Sequence, residues 1–261
     1  MTDRLTRRGF LQGAAATIAA GAAVGMLGCS QKEAPQEEKQ DERAWEAEAD
    51  YVIVGTGAAG LSAAATCGLE NLGSALILEA APEDLRGGNS RVCGQGTFCP
   101  TSVEGAIEYQ TDLNLPYVVE EDLMQAWAVN ICENGTWLSE ECGADIEFKQ
   151  SAEFPEAKAA DTAGHYASKT KRDDSGSGGI WKALEDTVAS FGTPLYYDAR
   201  AVLLVHDPQT KEVYGVETED GRSFKANKAV ILACGGFEWN KDMMDQFSTC
   251  GFVGACGIGT T

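Results

Sequence analysis

Histidine is almost missing from this chain: among 261 residues only His165 and His206 occur. Metal centres and proton relays built on imidazole therefore have little to draw on. Basic residues are also scarce. Lys and Arg number 20 against 40 Asp and Glu, a net charge of −20. A nucleic-acid binder needs a basic face, so nucleic acid is excluded as a partner. Nine cysteines are present, at 29, 67, 93, 99, 132, 142, 234, 250 and 256. Their spacing matches no zinc or iron–sulfur pattern and no C-x-x-C-H haem site, and no metal ligands are assigned. Cys67, in an apolar helical stretch, and Cys234, in an apolar strand, read as small core hydrophobes. Gly176-Ser177-Gly178 lacks the strand–elbow–helix context of a hydrolase nucleophile, and no Ser/His/Asp set accompanies it. His206 reads as a surface residue. His165, in a loop, is either solvated or facing substrate. Internal repeats are absent.

What is present has a globular balance. Apolar residues make up 44% and charged residues 23%, which excludes a collagen, a coiled coil and a wholly disordered chain. Glycine is plentiful, at 30 residues, which suggests tight turns and close backbone approach to a ligand.

The N-terminus differs from the rest. Residues 1–28 carry Arg4, Arg7 and Arg8 against Asp3. Thr6-Arg7-Arg8-Gly9-Phe10-Leu11, followed by an Ala/Gly-rich stretch to Gly28, resembles a twin-arginine (Tat) signal peptide, read by the export machinery. A permanent membrane span is the weaker reading, because Ala and Gly dominate the stretch. Leu27-Gly28-Cys29 resembles a lipoprotein cleavage box, with Met26 a poor match, so Cys29 is a candidate lipid anchor. The chain is expected to be extracytoplasmic. Residues 29–49, rich in Glu and Gln, are expected to form a disordered acidic linker.

The first motif with chemistry follows at once. Asp50–Val54 reads as a strand buried on both faces. Gly55-Thr56-Gly57-Ala58-Ala59-Gly60 comes next, and Leu61, Ala65, Leu69 and Leu72 then mark one stripe of a helix that Gly73 should cap. Ala75–Leu78 is a second apolar strand, closed by Glu79. This is a βαβ unit on the dinucleotide-binding template. Gly55 permits the tight turn, Gly57 lets the backbone approach a pyrophosphate, and Gly60 lets helix and strand pack closely. Helix N-terminal amides favour the phosphates. Glu79 can accept from the adenosine ribose and repels an extra phosphate.

A second glycine turn, Gly87-Gly88-Asn89-Ser90, follows closely. Residues 101–143 read as interrupted helix, 145–148 as a short strand and 149–179 as a loop. A helix runs over Ile180–Phe191 to a stop at Gly192, and Pro194–Tyr197 is a strand. A meander of three strands follows at Ala201–His206, Glu212–Glu219 and Arg222–Lys225. Ala229–Ala233 is a separate last buried strand, running into Cys234-Gly235-Gly236-Phe237.

The ordered set of Val52–Gly60, Leu78-Glu79, Gly87–Ser90, Trp137-Leu138, Ser177–Leu184 and Ala229–Phe237 resembles the FAD-binding domain of the fumarate reductase/succinate dehydrogenase flavoproteins. That family includes urocanate reductases and 3-ketosteroid dehydrogenases. The resemblance implies an α/β, Rossmann-like FAD-binding domain over 50–247, with a parallel sheet, helices and a three-stranded β-meander. It implies that FAD is held by Gly55, Gly57, Ala58 and Gly60 at the pyrophosphate and Glu79 at the ribose. Gly88, Asn89 and Ser90 would lie at the phosphates or near the flavin ring, the Ala201 backbone at the adenine, and Gly235 in the turn after the last strand. Cys234 stands where the family usually has Thr. The resemblance further implies hydride transfer between flavin and an activated C=C or CH–CH substrate. Electrons would come from a separate carrier, a cytochrome or a quinone-linked protein.

Members of that family continue into a capping domain that carries the proton donor and substrate-gripping residues. No catalytic residue is assigned in this chain. Residues 248–261 are expected to be an irregular tail after a truncation soon past Gln246. The alternative to an enzyme is a truncated, non-catalytic FAD-binding fragment.

Overall fold

Short apolar runs bounded by turns pack well as strands covered on both faces. The computed structural model describes residues 43–170, 179–238 and 240–248. In it, strand β1 spans Ala47–Val54, helix α1 Ala58–Leu69 and strand β2 Ala75–Leu78. The two strands pair in parallel, with Val52 opposite Leu76 and Val54 opposite Leu78. Helix α1 ends before Gly73. Its left-handed residue is Asn71, at φ +52°. The N–H of Leu72 donates to Cys67 O at 2.9 Å and that of Asn71 to Gly68 O at 3.2 Å. This is a Schellman cap in which Asn, whose short polar side chain tolerates the left-handed region, replaces the glycine expected there.

Helix α2 covers Gly88–Val92, strand β3 Gly96–Phe98, helix α3 Val103–Leu113 and helix α4 Glu121–Thr136. A single π turn over Trp137–Glu141 follows. Strand β4 is Ile146–Gln150 and β5 Gly164–Ser168. The segment read as a loop thus contains a strand, and β5 is the middle of a sheet ordered β3-β5-β4. Helix α5 spans Gly179–Ser190, and β6 is Leu195–Tyr196. Strands β7 (Ala201–His206), β8 (Val213–Thr218) and β9 (Ser223–Leu232) follow, then helix α6 (Lys241–Phe247).

The large sheet runs β6-β2-β1-β9-β8-β7. Strand β9 corrects the sequence reading: the segments read as two strands, Arg222–Lys225 and Ala229–Ala233, fall on one strand over Ser223–Leu232. It pairs with β8 antiparallel through Phe224 and with β1 in parallel from Phe224 to Leu232. The lysines at and after the end of the first segment are accommodated by β1, where Glu48 reaches Lys225 at 3.5 Å and Asp50 reaches Lys228 at 3.4 Å. For the same reason β1 begins at Ala47, inside the segment expected to be a disordered linker. Arg43 donates to Glu217 at 2.6 Å, and Trp45 packs edge-on against Tyr214 at 6.3 Å. The signal-peptide and lipid-anchor readings, the linker up to residue 42 and the tail from 249 lie outside the described residues.

The chain divides into two compact units. The first comprises the described parts of 43–97, 135–149 and 166–248, and holds the large sheet. Period-2 alternation sends Ile53 and Ile77 to one face, with Leu61, Trp181, Leu184 and Val188. It sends Val52, Val54, Leu76 and Leu78 to the other, with Val216 and Phe224. The second unit comprises 98–134 and 150–165. There Ser102 caps α3 by accepting from the Gly105 N–H at 3.0 Å. Phe98 stacks with Tyr109 at 5.9 Å and with Trp127 at 6.4 Å. Among the described residues no helix is long and apolar enough to cross a membrane.

Candidate functional site

Strands β2 and β9 flank β1 and run parallel to it. From β1 the chain builds β2 and β6 on one side, then crosses to build β7, β8 and β9 on the other, so the strand order reverses at β1, the kind of switch point at which open α/β sheets bind ligands. The loops leaving these strands line a cavity of about 660 Å³, within the usual range for cofactor pockets.

The three fingerprint glycines are required for different reasons. Gly55 has φ +107°, and a Cβ there would lie 2.5 Å from Ala233 O. A Cβ on Gly60 would lie 1.9 Å from Gly55 O, so helix and turn could not close. Gly57 has an extended backbone at φ −66° and ψ 176°, and a Cβ there would meet nothing nearer than Ser90 Oγ at 3.5 Å. The protein itself therefore dictates glycine at 55 and 60, while at 57 no protein atom crowds a Cβ. Gly57, Ala58 and Ala59 line that cavity at the N-terminus of α1, where helix amides favour anions.

Of the residues singled out in the sequence, Gly55, Gly57, Ala58, Glu79, Gly88, Asn89, Ser90, Ala201 and Gly235 all line the cavity. Gly60 is buried beneath it. Their bonding is more specific than the sequence implied. Ser90 Oγ accepts from the Ala58 N–H at 2.9 Å, supplying from another loop the cap that Gly57 cannot. The Asn89 side-chain amide donates to Glu238 at 2.7 Å. Glu79 is 7% exposed. Its Oε2 accepts from the Thr56 N–H at 3.1 Å and from the Thr56 hydroxyl, and its Oε1 from the Ala81 N–H at 2.8 Å.

Cys234 departs from the core position expected of it. Strand β9 stops at Leu232, the chain leaves the sheet, and the cysteine is exposed in the cavity wall. Neither histidine lines the cavity. His165 lies in β5 and not in a loop; His206, at the end of β7, is exposed, with Nδ1 3.0 Å from Asp207 O.

Three residues missed by sequence reasoning brace the site. Thr56 is 1% exposed, and its hydroxyl accepts from the Gly87 N–H at 2.8 Å. Trp181 Nε1–H donates to Thr56 O at 2.9 Å. Gln95 donates to Ser90 O at 2.5 Å and accepts from the Trp181 N–H at 2.9 Å. No spacing rule reveals them, because they come from the turn after β1, from α5 and from the loop after α2. Arg86 lies 5.7 Å above the Trp181 ring. Its hydrogen bond to Glu185 holds the guanidinium pKa above its ordinary value.

Residues 50–260 match the family model of the FAD binding domain. The chain belongs to that family. Its cofactor is FAD, and the site fits it: an open place at Gly57 for the pyrophosphate, a helix N-terminus facing the cavity, and a buried carboxylate beside it. Solved structures agree on the fold. The 3-ketosteroid-Δ4-(5α)-dehydrogenase of Rhodococcus jostii RHA1 aligns with a TM-score of 0.66 at 23% identity, over 80% of this chain and 50% of that one. A flavocytochrome c3 fumarate reductase in its open conformation aligns at 0.63 and 21%, over 78% of this chain and 36% of that one. The 3-ketosteroid Δ1-dehydrogenase of Sterolibacterium denitrificans aligns at 0.62 and 16%, over 76% and 50%. The chain thus spans half or less of the length of these proteins. No curated protein matches the sequence.

Proposed function

We propose that this chain is the FAD-binding portion of an exported oxidoreductase acting on an activated C=C bond or the corresponding CH–CH bond of a small molecule. A separate cytochrome or quinone-linked carrier exchanges the electrons. The observation that carries this reading is the glycine at 57, where no protein atom crowds an added Cβ and the backbone lies open to the cavity. Fumarate and ketosteroid chemistry appear in the names of proteins with this fold. Bound FAD supplies hydride-transfer chemistry. The chain's own residues bind and orient. The 55–60 turn takes the pyrophosphate, Glu79 the ribose, and Ser90 fixes the helix end that faces the phosphates.

The alternative is a non-catalytic FAD-binding fragment. The ionisable side chains lining the cavity are Glu79, Arg91, Arg200 and Cys234. Glu79 is held by Thr56 and Ala81, Arg91 donates to Asp84 O at 3.2 Å, and Arg200 lies 3.8 Å from Glu219. The deciding experiment loads the chain with FAD, reduces the flavin and offers fumarate, urocanate and a steroid enone in turn. Reoxidation that depends on one of them, at ~1 s⁻¹ or faster, establishes the enzyme. Reoxidation by oxygen alone rules out these three substrates and counts for the binding fragment. Export is tested by replacing Arg7 and Arg8 with Lys, which should hold the protein in the cytoplasm. Cys29→Ala should release it from the membrane if that thiol is lipidated.

A further inference from the structure

Thr56 occupies a place that the glycine pattern leaves open to any residue, yet all three of its polar atoms are bonded, between them to Glu79, Gly87 and Trp181. Its hydroxyl donates to Glu79 Oε2 and accepts from the Gly87 N–H at 2.8 Å. Its N–H donates to the same Oε2 at 3.1 Å, and its carbonyl accepts from Trp181 at 2.9 Å. A hydroxyl that donates one way and accepts the other has its rotor locked. Lone-pair counting then defines Glu79: among the described residues, Oε2 is filled by two donors from Thr56, while Oε1, holding the Ala81 N–H alone, keeps an acceptor site. Removing the hydroxyl strips one donor from a buried carboxylate and the acceptor from a buried N–H, and both losses are costly.

We infer that Thr56 is a positioning residue for the ADP half of FAD. Its hydroxyl ties Glu79 to the second glycine turn, so that the ribose-facing carboxylate and the Gly87–Ser90 loop hold one geometry before the cofactor arrives. The inference rests on the FAD assignment and concerns a hydroxyl that acts on the cofactor through Glu79 and the Gly87 turn.

The test compares the full chain with Thr56→Val, which keeps the shape and loses the hydroxyl, and Thr56→Ser, which keeps the hydroxyl. Affinities for FAD and for ADP alone are measured by titration calorimetry, with circular dichroism as the check on folding. The Val variant should bind both ligands about 10- to 100-fold more weakly, the loss expected for a hydrogen bond to a charged group. The Ser variant should stay within about threefold of the parent on the same scale. Wild-type affinity in the Val variant, failure of Ser to restore binding, or a loss on FAD with none on ADP would each overturn the assignment. Where Val does not fold, Thr56→Cys takes its place, its weak thiol donor giving binding below Ser; equal binding by Cys and Ser overturns the assignment. Failure of the parent chain to bind FAD at all would instead sink the cofactor reading.

Discussion

The unit that carries the cavity and the unit built from 98–134 and 150–165 are held together by different means. In the cavity unit, backbone geometry and buried polar bonds decide the structure: a Gly60 Cβ has no room, and Thr56, Glu79 and Trp181 bond through buried atoms. In the other unit, side-chain packing decides it, through the stacks of Phe98 on Tyr109 and Trp127. Its connection between α3 and α4 leaves Leu115, Tyr117 and Val118 64%, 79% and 94% exposed. Backbone-determined sites tolerate almost no substitution, because a single added carbon collides with main-chain atoms. Packed and exposed sites yield by degrees.

Gly60→Ala offers the most severe challenge to this contrast. The added Cβ meets Gly55 O at 1.9 Å, so stability should fall by about 3 kcal/mol or more, measured by urea unfolding. A neutral result would mean that the α1 junction is not backbone-limited. Gly57→Val separates fold from ligand within the same turn. Its unfolding midpoint should stay near the parent's, while FAD retention, read as flavin absorbance after gel filtration, should vanish. Loss of fold instead of flavin would place the constraint in the protein. In the second unit, Ser102→Ala removes the α3 cap and should cost about 1 kcal/mol with FAD binding unchanged. The mildest change, Val118→Ser, should alter stability by no more than about 0.5 kcal/mol. A larger loss there would show that this exposed loop is packed in solution.

Much of the cavity unit was legible in the sequence because its signals are local. The run Tyr51–Val54, the spacing of Gly55, Gly57 and Gly60, and the acid at Glu79 all lie within one βαβ unit, and each has a stereochemical reason. The errors arose where a distant strand decided the outcome. The stretch from 226 to Lys228 looks like a break between two strands until Asp50 is placed beside Lys228. Strand β5 is hidden in a polar stretch because its partners, β3 and β4, come from elsewhere in the chain. Asn71 took the helix cap from Gly73, a choice between neighbours that periodicity cannot make.

By itself the sequence determined the βαβ unit, the roles of three glycines and the acid that closes the second strand, since backbone sterics and alternating burial act over a few residues. Only the tertiary structure decided that Ser90 caps a helix 32 positions away in sequence, that Trp181 and Gln95 brace the glycine turns, and that Cys234 faces the cavity instead of the core. A buried polar group takes whichever partner the fold brings within about 3 Å, and no local pattern records which partner that will be.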